Sequence, residues 1–413
     1  MIKTLCKHVA LLIVSVLVTA PHPAHAQSIE VMHYWTSPGE TEALNIFADA
    51  YTQNGGAWEQ VGVPTKLSMR RRAIERIVMG FPPTAAQWHA GPELDELFSL
   101  GLVSPMDDVA DPEALRGHLQ PAVIEAITRD GVLAALPVGI HGVNWAWYNN
   151  AIYEELNLDI PEDWRGFLDQ APTIAAAGYE PLALGDWNWE AALLFNTVLI
   201  DIAGKSVFEK MLSKEPLTEA ERTGVSDAVG VFRAVRDFAS PKPAAPAEWS
   251  AATSRVIERK AALQVMGDWA KGAFVAAGQS PGTDFTCRLA PGNDDALMFL
   301  LDVFVLAASE AESAQTAQSA LVETLLDPGN QLAFAKLKGA LPVVRDFDRS
   351  ALDECAQLGL SKFDQADTTV SSVAISFTVE EQAMLETAVL KLWHDAAQSD
   401  EEAAEAFLRT MFK

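Results

Sequence analysis

Positive charge is scarce in this chain of 413 residues. Its 30 lysine and arginine side chains stand against 56 acidic ones, which gives a formal net charge of −26. A surface this acidic repels phosphate backbones and anionic lipid, which argues against nucleic acid or a membrane surface as a partner. With 49% hydrophobic and 21% charged residues, the composition is that of a globular protein of two or three domains.

Long apolar runs are missing as well. Residues 9–20 form an apolar run of 12, too short to span a bilayer as a helix. The run follows Lys3 and Lys7 and precedes the small-x-small sequence AHA at 24–26. Because this order is typical of secretory signal peptides, we expect residues 1–26 to be a cleaved signal peptide and the protein to be exported.

Cysteine is limited to three residues, of which Cys6 lies in the predicted signal peptide. Cys287 and Cys355 remain, and a pair in an oxidising compartment usually forms a disulfide. The alternative is two unrelated buried thiols. A bridge would close a loop of about 68 residues, which is worth roughly 4 kcal/mol on the chain-entropy model.

Recognisable catalytic motifs are absent too. The sequence contains no GxGxxG, no phosphate-binding loop, no HExxH and no GxSxG. Three of the eight histidines fall in the predicted signal peptide and the others are scattered, so no metal site is indicated. The many carboxylates leave a glycosidase pair open, but nothing selects one. We therefore predict no catalytic residue, metal or cofactor.

Strand and helix patterns alternate along the chain. Residues 28–34 and 58–63 are predicted strands, and Glu40 opens a helix between them with apolar residues spaced i, i+3, i+4, i+7. This alternation predicts an α/β fold with a largely parallel sheet. The glycines of 139–142 lie between two apolar segments and mark a candidate crossing between lobes.

Tryptophan, by contrast, is abundant, with 11 residues against 5 tyrosines. Several stand beside polar residues, as in Tyr34-Trp35 and Asp268-Trp269. A sugar packs its C–H faces on aromatic rings and its hydroxyls need polar partners, so the repeated pattern favours a carbohydrate cleft. For any single tryptophan, burial in the core is the competing interpretation.

Five segments resemble the extracellular solute-binding proteins, family 1, of bacterial ABC sugar importers, and lie nearest the glucose/mannose-binding branch. They fall in the order found in that family and cover most of the chain beyond residue 26. The segments are HYWTSPGE at 33–40, PPTAAQ at 82–87, PVGIHGVNWAWYN at 137–149, QVMGDWAKG at 264–272 and KGALPV at 338–343.

The resemblance implies a two-lobed α/β periplasmic binding protein fold, with hinge crossings and a ligand cleft between the lobes. It places lobe one at 28–139 and 297–344, and lobe two at 140–296 and 345–413. It also fits the Cys287–Cys355 bridge, which would join segments near the second and third crossings.

The resemblance also implies the ligand site. Trp35 would be a stacking platform, Glu40 a hydroxyl acceptor and Lys338 a donor. Three alternatives stay open: Glu40 as a helix cap, Asp268 as a turn residue and Lys338 as a solvated surface residue. The implied ligand-binding set is Tyr34, Trp35, Glu40, His89, His141, Trp189, Asp268, Trp269, Asp302 and Lys338.

The chain departs from the family pattern at four places. Tyr34 stands where relatives carry the first tryptophan of a Trp-Trp pair. His89 stands where relatives carry Lys, and Ile375 stands where they carry His, which removes a donor. Arg70, Arg71 and Arg72 replace a glycine-rich loop. We expect these arginines on the outer face of a helix; if they face the cleft, an acidic sugar becomes a candidate ligand.

The resemblance therefore predicts a periplasmic, monomeric binding protein that is not an enzyme. It would capture a monosaccharide or short oligosaccharide and deliver it to the transmembrane subunits of an ABC permease. Three alternatives remain: an exported carbohydrate-active enzyme, a binding protein for an acidic sugar, and a binding protein that serves a chemoreceptor.

Overall fold

The computed structural model describes residues 27–186, 188–240, 249–395 and 397–412. The predicted signal peptide, residues 1–26, lies outside these ranges. The strands are β1 (Ser28–His33), β2 (Ala57–Gly62), β3 (Ala85–His89), β4 (Val103–Ser104), β5 (Thr128–Arg129), β6 (Val132–Leu133), β7 (Leu136–Gly142), β8 (Trp145–Asn149), β9 (Glu180–Ala183), β10 (Ala261–Val265), β11 (Phe285–Leu289), β12 (Leu297–Ala307) and β13 (Thr369–Ser371).

Helices follow most of the strands, as the alternating pattern predicts. In the ranges that the structure describes, no helix is long and apolar enough to cross a bilayer. The helices are α1 (Pro38–Gln53), α2 (Lys66–Val78), α3 (Pro92–Ser99), α4 (Pro112–His118), α5 (Pro121–Ile127), α6 (Asn150–Leu156), α7 (Trp164–Ala176), α8 (Asn188–Ala203), α9 (Lys205–Ser213), α10 (Glu219–Arg236), α11 (Trp249–Ile257), α12 (Lys271–Ala276), α13 (Glu312–Leu326), α14 (Pro328–Lys338), α15 (Glu354–Phe363), α16 (Val373–Ser376), α17 (Val379–His394) and α18 (Asp400–Met411).

Two main sheets carry the fold. The larger has the order β13-β12-β3-β1-β2, with β4 and β7 also paired to β12, and the smaller has the order β11-β8-β10-β9. β1 is parallel to β2 and β3, but β12 is antiparallel to β3, β4 and β7. The prediction of a largely parallel sheet is therefore wrong. The reason is that β12 arrives from the other lobe rather than through a local βαβ crossover.

The apolar residues form two large cores, one under each sheet. The first core consists of residues between Ile29 and Ile140 and between Leu301 and Leu360. The second takes members from Val143 to Leu300 and from Val370 onward. This arrangement confirms the two-lobed α/β fold. The predicted lobe boundaries at 139/140, 296/297 and 344/345 stay predictions.

Two paired strands, β7 and β12, carry the chain between the lobes. β7 and β12 run antiparallel, with Ile140 opposite Leu301 and Gly142 opposite Phe299. The glycines of 139–142, predicted as a crossing, thus lie inside β7 rather than in a loop. Paired strands can bend as a unit, which is the structure that a hinge needs.

The predicted disulfide is present. Cys287 of β11 and Cys355 of α15 are bonded, with their Cα atoms 5.8 Å apart. Both belong to a small third core around Trp145 and Trp147. The bridge therefore fixes α15 to the smaller sheet.

Candidate functional site

The predicted ligand-binding residues come together where the two lobes meet. β1 and β3 are parallel, so their carboxyl ends place Tyr34, Trp35 and His89 at one edge of the larger sheet. The crossing strands β7 and β12 place His141 and Asp302 beside them. The other predicted residues reach the same region from Glu40 in α1, Trp189 in α8, Asp268 and Trp269 in the turn after β10, and Lys338 at the end of α14.

His141 lies fully buried between two carboxylates. Its Nδ1 is 2.5 Å from Oδ1 of Asp268, and its Nε2 is 3.2 Å from Oδ2 of Asp302. Burial by itself lowers the pKa of His141, but the charge of Asp268 and the hydrogen bonds to Asp268 and Asp302 outweigh it and raise the pKa to about 9. His141 is therefore an imidazolium at neutral pH.

Asp302 lies at the centre of a group of hydrogen-bonding side chains in lobe one. Its Oδ1 accepts from Nε2 of Gln87 at 3.2 Å and lies 3.4 Å from Nε2 of His89, which is 2.7 Å from the Tyr34 hydroxyl. Burial would raise the pKa of Asp302, but the hydrogen bond of His141 and the neighbouring positive charges lower it to about 2. Burial lowers the pKa of His89 well below its usual range, so its imidazole is neutral.

Lys338 is buried, with 2% of its side chain exposed, and the alternative of a solvated surface lysine is wrong. Its Nζ lies 3.1 Å from Oε1 of Glu40, 5.2 Å from the Trp35 ring and 5.8 Å from the Trp269 ring. Glu40 also caps its own helix, because its Oε2 accepts from the Ser37 hydroxyl at 2.8 Å. The helix-cap interpretation of Glu40 is therefore confirmed, and its role as a hydroxyl acceptor for a ligand stays a prediction.

Both carboxylate oxygens of Asp268 have a hydrogen-bond partner at the crossing between the lobes. Oδ1 faces His141, and Oδ2 accepts from the backbone N–H of Gly142 at 2.7 Å. Both partners lie at the crossing end of β7. Asp268 therefore ties the turn after β10 to the crossing.

The tryptophans differ in what they offer. Trp35 is almost fully buried and packs on Phe304 and Phe334, with ring centroids 6.1 and 5.8 Å away. Trp189 and Trp269 are half-buried and lie 6.4 Å apart. These two rings therefore present the more accessible stacking surfaces on the lobe two side.

The expectation that the three arginines face outward is wrong for Arg70. Arg71 and Arg72 are exposed, but Arg70 is buried, pairs with Glu93 and lies 4.8 Å over the Trp88 ring. The reason is helical phase: Arg70 follows buried Met69 along α2, and 100° per residue carries the next two side chains round to solvent.

Three polar residues that pair with Asp302, Arg70 or each other in the site were not predicted from the sequence. They are Lys66, Gln87 and Glu93. Gln87 lies in a fully buried strand, and a buried amide in such a strand is the signal that could have found it. Lys66 and Glu93 left no such signal, because charged residues near helix starts are ordinarily solvated.

The two lobes contact each other around this site. Gln382 of α17 accepts from Nζ of Lys66 at 3.2 Å and donates to Oε1 of Glu93 at 3.3 Å. Behind the site, a Cβ on Gly272 would lie 2.8 Å from the carbonyl oxygen of Leu337, so α12 and α14 approach closely only because that residue is glycine. Within the described ranges, no group of three or more His, Cys, Asp and Glu side chains is arranged to hold a metal ion.

Comparison with known proteins gives concordant matches. The profile of the bacterial extracellular solute-binding protein family matches residues 77–331. A probable sugar-binding periplasmic protein of Mesorhizobium japonicum is 30% identical over 348 residues, which is 84% of this chain and 83% of the relative. Another probable sugar-binding periplasmic protein, of Brucella suis biovar 1, is 31% identical over 350 residues, or 83% of this chain and 81% of the relative.

Solved structures show the same fold. The bacterial solute receptor AcbH, which has an exclusive substrate preference for β-D-galactopyranose, superposes with a TM-score of 0.76. The superposition covers 94% of this chain and 99% of the receptor at 17% sequence identity, so it bears on the fold alone.

Proposed function

The chain belongs to the bacterial extracellular solute-binding protein family, and we propose that it binds a neutral monosaccharide or short oligosaccharide between its lobes. The observation that carries the proposal is the interlobe group of tryptophans and hydrogen-bonding side chains. Half-buried Trp189 and Trp269 offer ring faces, and Lys338, Glu40 and His89 offer polar atoms. A sugar needs both in one cleft.

Charge favours a neutral ligand over an acidic one. Four positive groups stand within ion-pair distance of four carboxylates, so none of the positive groups lacks a negative partner. An added carboxylate would leave an uncompensated buried charge, which costs several kcal/mol in a site of this kind. The positive groups are Lys66, Arg70, His141 and Lys338, and the carboxylates are Glu40, Glu93, Asp268 and Asp302.

The finer predictions belong to the same proposal. Membership of the glucose/mannose-binding branch is supported by the motifs at 33–40 and 264–272 and opposed by the replacements at His89 and Ile375. Periplasmic location, delivery to the transmembrane subunits of an ABC permease and a monomeric state are proposed from the family and from the names of the relatives.

Replacing Trp269 by alanine should weaken sugar binding by about tenfold or more, because it removes an accessible stacking surface. Titration calorimetry with D-glucose, D-galactose, D-xylose and maltotriose measures this directly. Trp393→Ala is the matched control, since Trp393 is also a half-buried tryptophan of lobe two but packs on Phe232 at the far end of α17. We expect the control to bind as the wild type does.

The alternatives give different results. Binding only of acidic sugars such as D-glucuronate would overturn the neutral ligand. Turnover of an oligosaccharide would favour the carbohydrate-active enzyme. If no sugar binds at all, the carbohydrate proposal fails while the family assignment stands.

A further inference from the structure

We propose that Arg70 is a ligand-binding residue of the cleft, whose guanidinium donates hydrogen bonds to oxygen atoms of a neutral sugar. The proposal rests on the proposed function and adds to it a binding residue on α2, in a segment that departs from the family pattern. Four observations carry it: position, unused donors, contact of its ion-pair partner with the opposite lobe, and charge compensation.

The position of Arg70 is at the ligand end of lobe one. Its guanidinium lies 4.8 Å over the Trp88 ring, and Trp88 directly precedes His89, whose Nε2 is bonded to the Tyr34 hydroxyl. Arg70 is close enough to Tyr34 and Asp302 for their negative forms to act on its charge. The arginine therefore borders the hydrogen-bonded group around Asp302.

The donors of Arg70 are mostly unused. Its side chain is 7% exposed, and Glu93 is its ion-pair partner through Nη1. In the described part of the chain, no acceptor pairs with Nε or Nη2. Because a buried unpaired N–H is costly and native structures rarely keep several on one side chain, these donors point to an acceptor supplied by a ligand.

Lobe two contacts Glu93, the ion-pair partner of Arg70. Gln382 bonds to both Glu93 and Lys66. A Cβ on Gly91, whose φ is +104°, would lie 2.4 Å from the carbonyl oxygen of Ile375. The arginine therefore lies at a boundary between lobes, where opening and closing of the cleft would give a ligand access to it.

Glu93 compensates the charge of Arg70 but leaves most of its N–H donors free for a ligand. Glu93 neutralises the guanidinium, and Lys66 is 35% exposed, so water screens its ammonium group. A sugar hydroxyl or ring oxygen can accept from a guanidinium without bringing a second negative charge. Glu93, the partner of Arg70, lies two residues beyond Gly91, which closely approaches the backbone of Ile375. The family resemblance leads us to expect a histidine donor at position 375, so Arg70 adds a donor to the side of the cleft that has lost one.

The test compares Arg70→Gln with Arg72→Gln, an equal change of charge at an exposed position of the same helix. Titration calorimetry uses whichever of D-glucose, D-galactose, D-xylose and maltotriose binds the wild type most tightly. We expect Arg70→Gln to weaken binding about 10- to 100-fold, as for loss of charge-assisted hydrogen bonds, and Arg72→Gln to leave it unchanged. Arg70→Lys, which keeps the charge but not the planar fork, should be intermediate.

A second measurement separates contact from mere support of the fold. Monodeoxy analogues of the same sugar are titrated against wild type and Arg70→Gln. If Arg70 donates to one hydroxyl, the analogue that lacks it binds wild type weakly and loses no further affinity in the variant. This readout holds even where the variant melts at a lower temperature.

Two outcomes would overturn the proposal. If Arg70→Gln and Arg72→Gln bind the probe sugar equally well, Arg70 does not contact it and the proposed function survives. If every deoxy analogue loses the same further affinity in Arg70→Gln, the arginine acts only through the fold. Failure of wild type to bind any sugar would instead remove the proposed function itself, and this proposal with it.

Discussion

Removing the Cys287–Cys355 disulfide should lower the free energy of unfolding by about 4 kcal/mol, since the bridge closes a loop with a sequence separation of 68 residues. The open chain gains conformational freedom in the unfolded state, while the native contacts of α15 remain. Cys287→Ala together with Cys355→Ala is the appropriate variant, because alanine adds no buried hydroxyl to the small third core.

Urea unfolding of the wild type and the double variant measures the difference. Far-ultraviolet circular dichroism and tryptophan fluorescence should be followed together, since a two-lobed protein unfolds in one step only if both signals coincide. The single variant Cys287→Ala is the control and should match the double variant, because either change breaks the same bond. A loss below about 1 kcal/mol would show that the bridge does not restrict the unfolded chain as proposed.

A second large effect is the loss, at alkaline pH, of the stability that protonated His141 contributes. The folded pKa of His141 is about 9, against an ordinary value of 6.5. A base whose pKa is raised by folding stabilises the protein fully below its unfolded pKa and ceases to do so as pH rises through the folded one. We therefore expect the contribution of His141 to the free energy of unfolding to fall by roughly 3 kcal/mol between pH 6.5 and 9.5. Lys66 acts with the opposite sign, because burial lowers its pKa to about 7 and folding becomes more favourable as pH rises above that value. The contribution of His141 is therefore measured as the difference between the wild type and a variant that lacks this histidine.

Acid should act through other groups with the opposite sign. Burial lowers the pKa of His33 to about 4, so folding becomes less favourable as pH falls from 6.5 toward 4. The pKa of Asp302 is about 2, so its contribution is present above its ordinary value of 3.8 and is lost as pH falls toward 2. These directions together predict that the free energy of unfolding falls as pH decreases below 6.5.

His141→Gln tests the alkaline limb. The difference in the free energy of unfolding between the wild type and this variant should be roughly 3 kcal/mol smaller at pH 9.5 than at pH 6.5, because glutamine cannot carry the proton held between Asp268 and Asp302. His394→Gln, at an exposed position of α17, is the control and should keep the wild-type pH dependence. A difference that is equal at the two pH values would mean that His141 does not hold its proton in the fold.

Residues with a fixed backbone position were predictable from the sequence. Trp35 directly follows the predicted strand at 28–34, and His89 ends β3, so the parallel pairing of β1 and β3 brings them to one edge. His141 lies between glycines in a recognisable segment, and the cysteine pair needed only an oxidising compartment to predict its bond. In each case local spacing or chemistry restricts the position strongly.

The tertiary structure alone decided how side chains are used. Arg70 could not be placed from a run of three arginines, because only the packing of α2 on Trp88 selects the buried one. Gln87 and Glu93 become partners of Asp302 and Arg70 across 215 and 23 residues of chain, distances over which sequence patterns carry no contact information.

The sequence by itself thus determined the family and the α/β alternation, and it predicted aromatic and acidic residues that the fold brings together between the lobes. Only the tertiary structure decided the antiparallel entry of β12, the partners of both Asp268 oxygens at the crossing and the pairing of the charged groups. The physical reason is that strand periodicity and motif spacing are local properties, whereas the pairing of a buried charge depends on which elements meet in space.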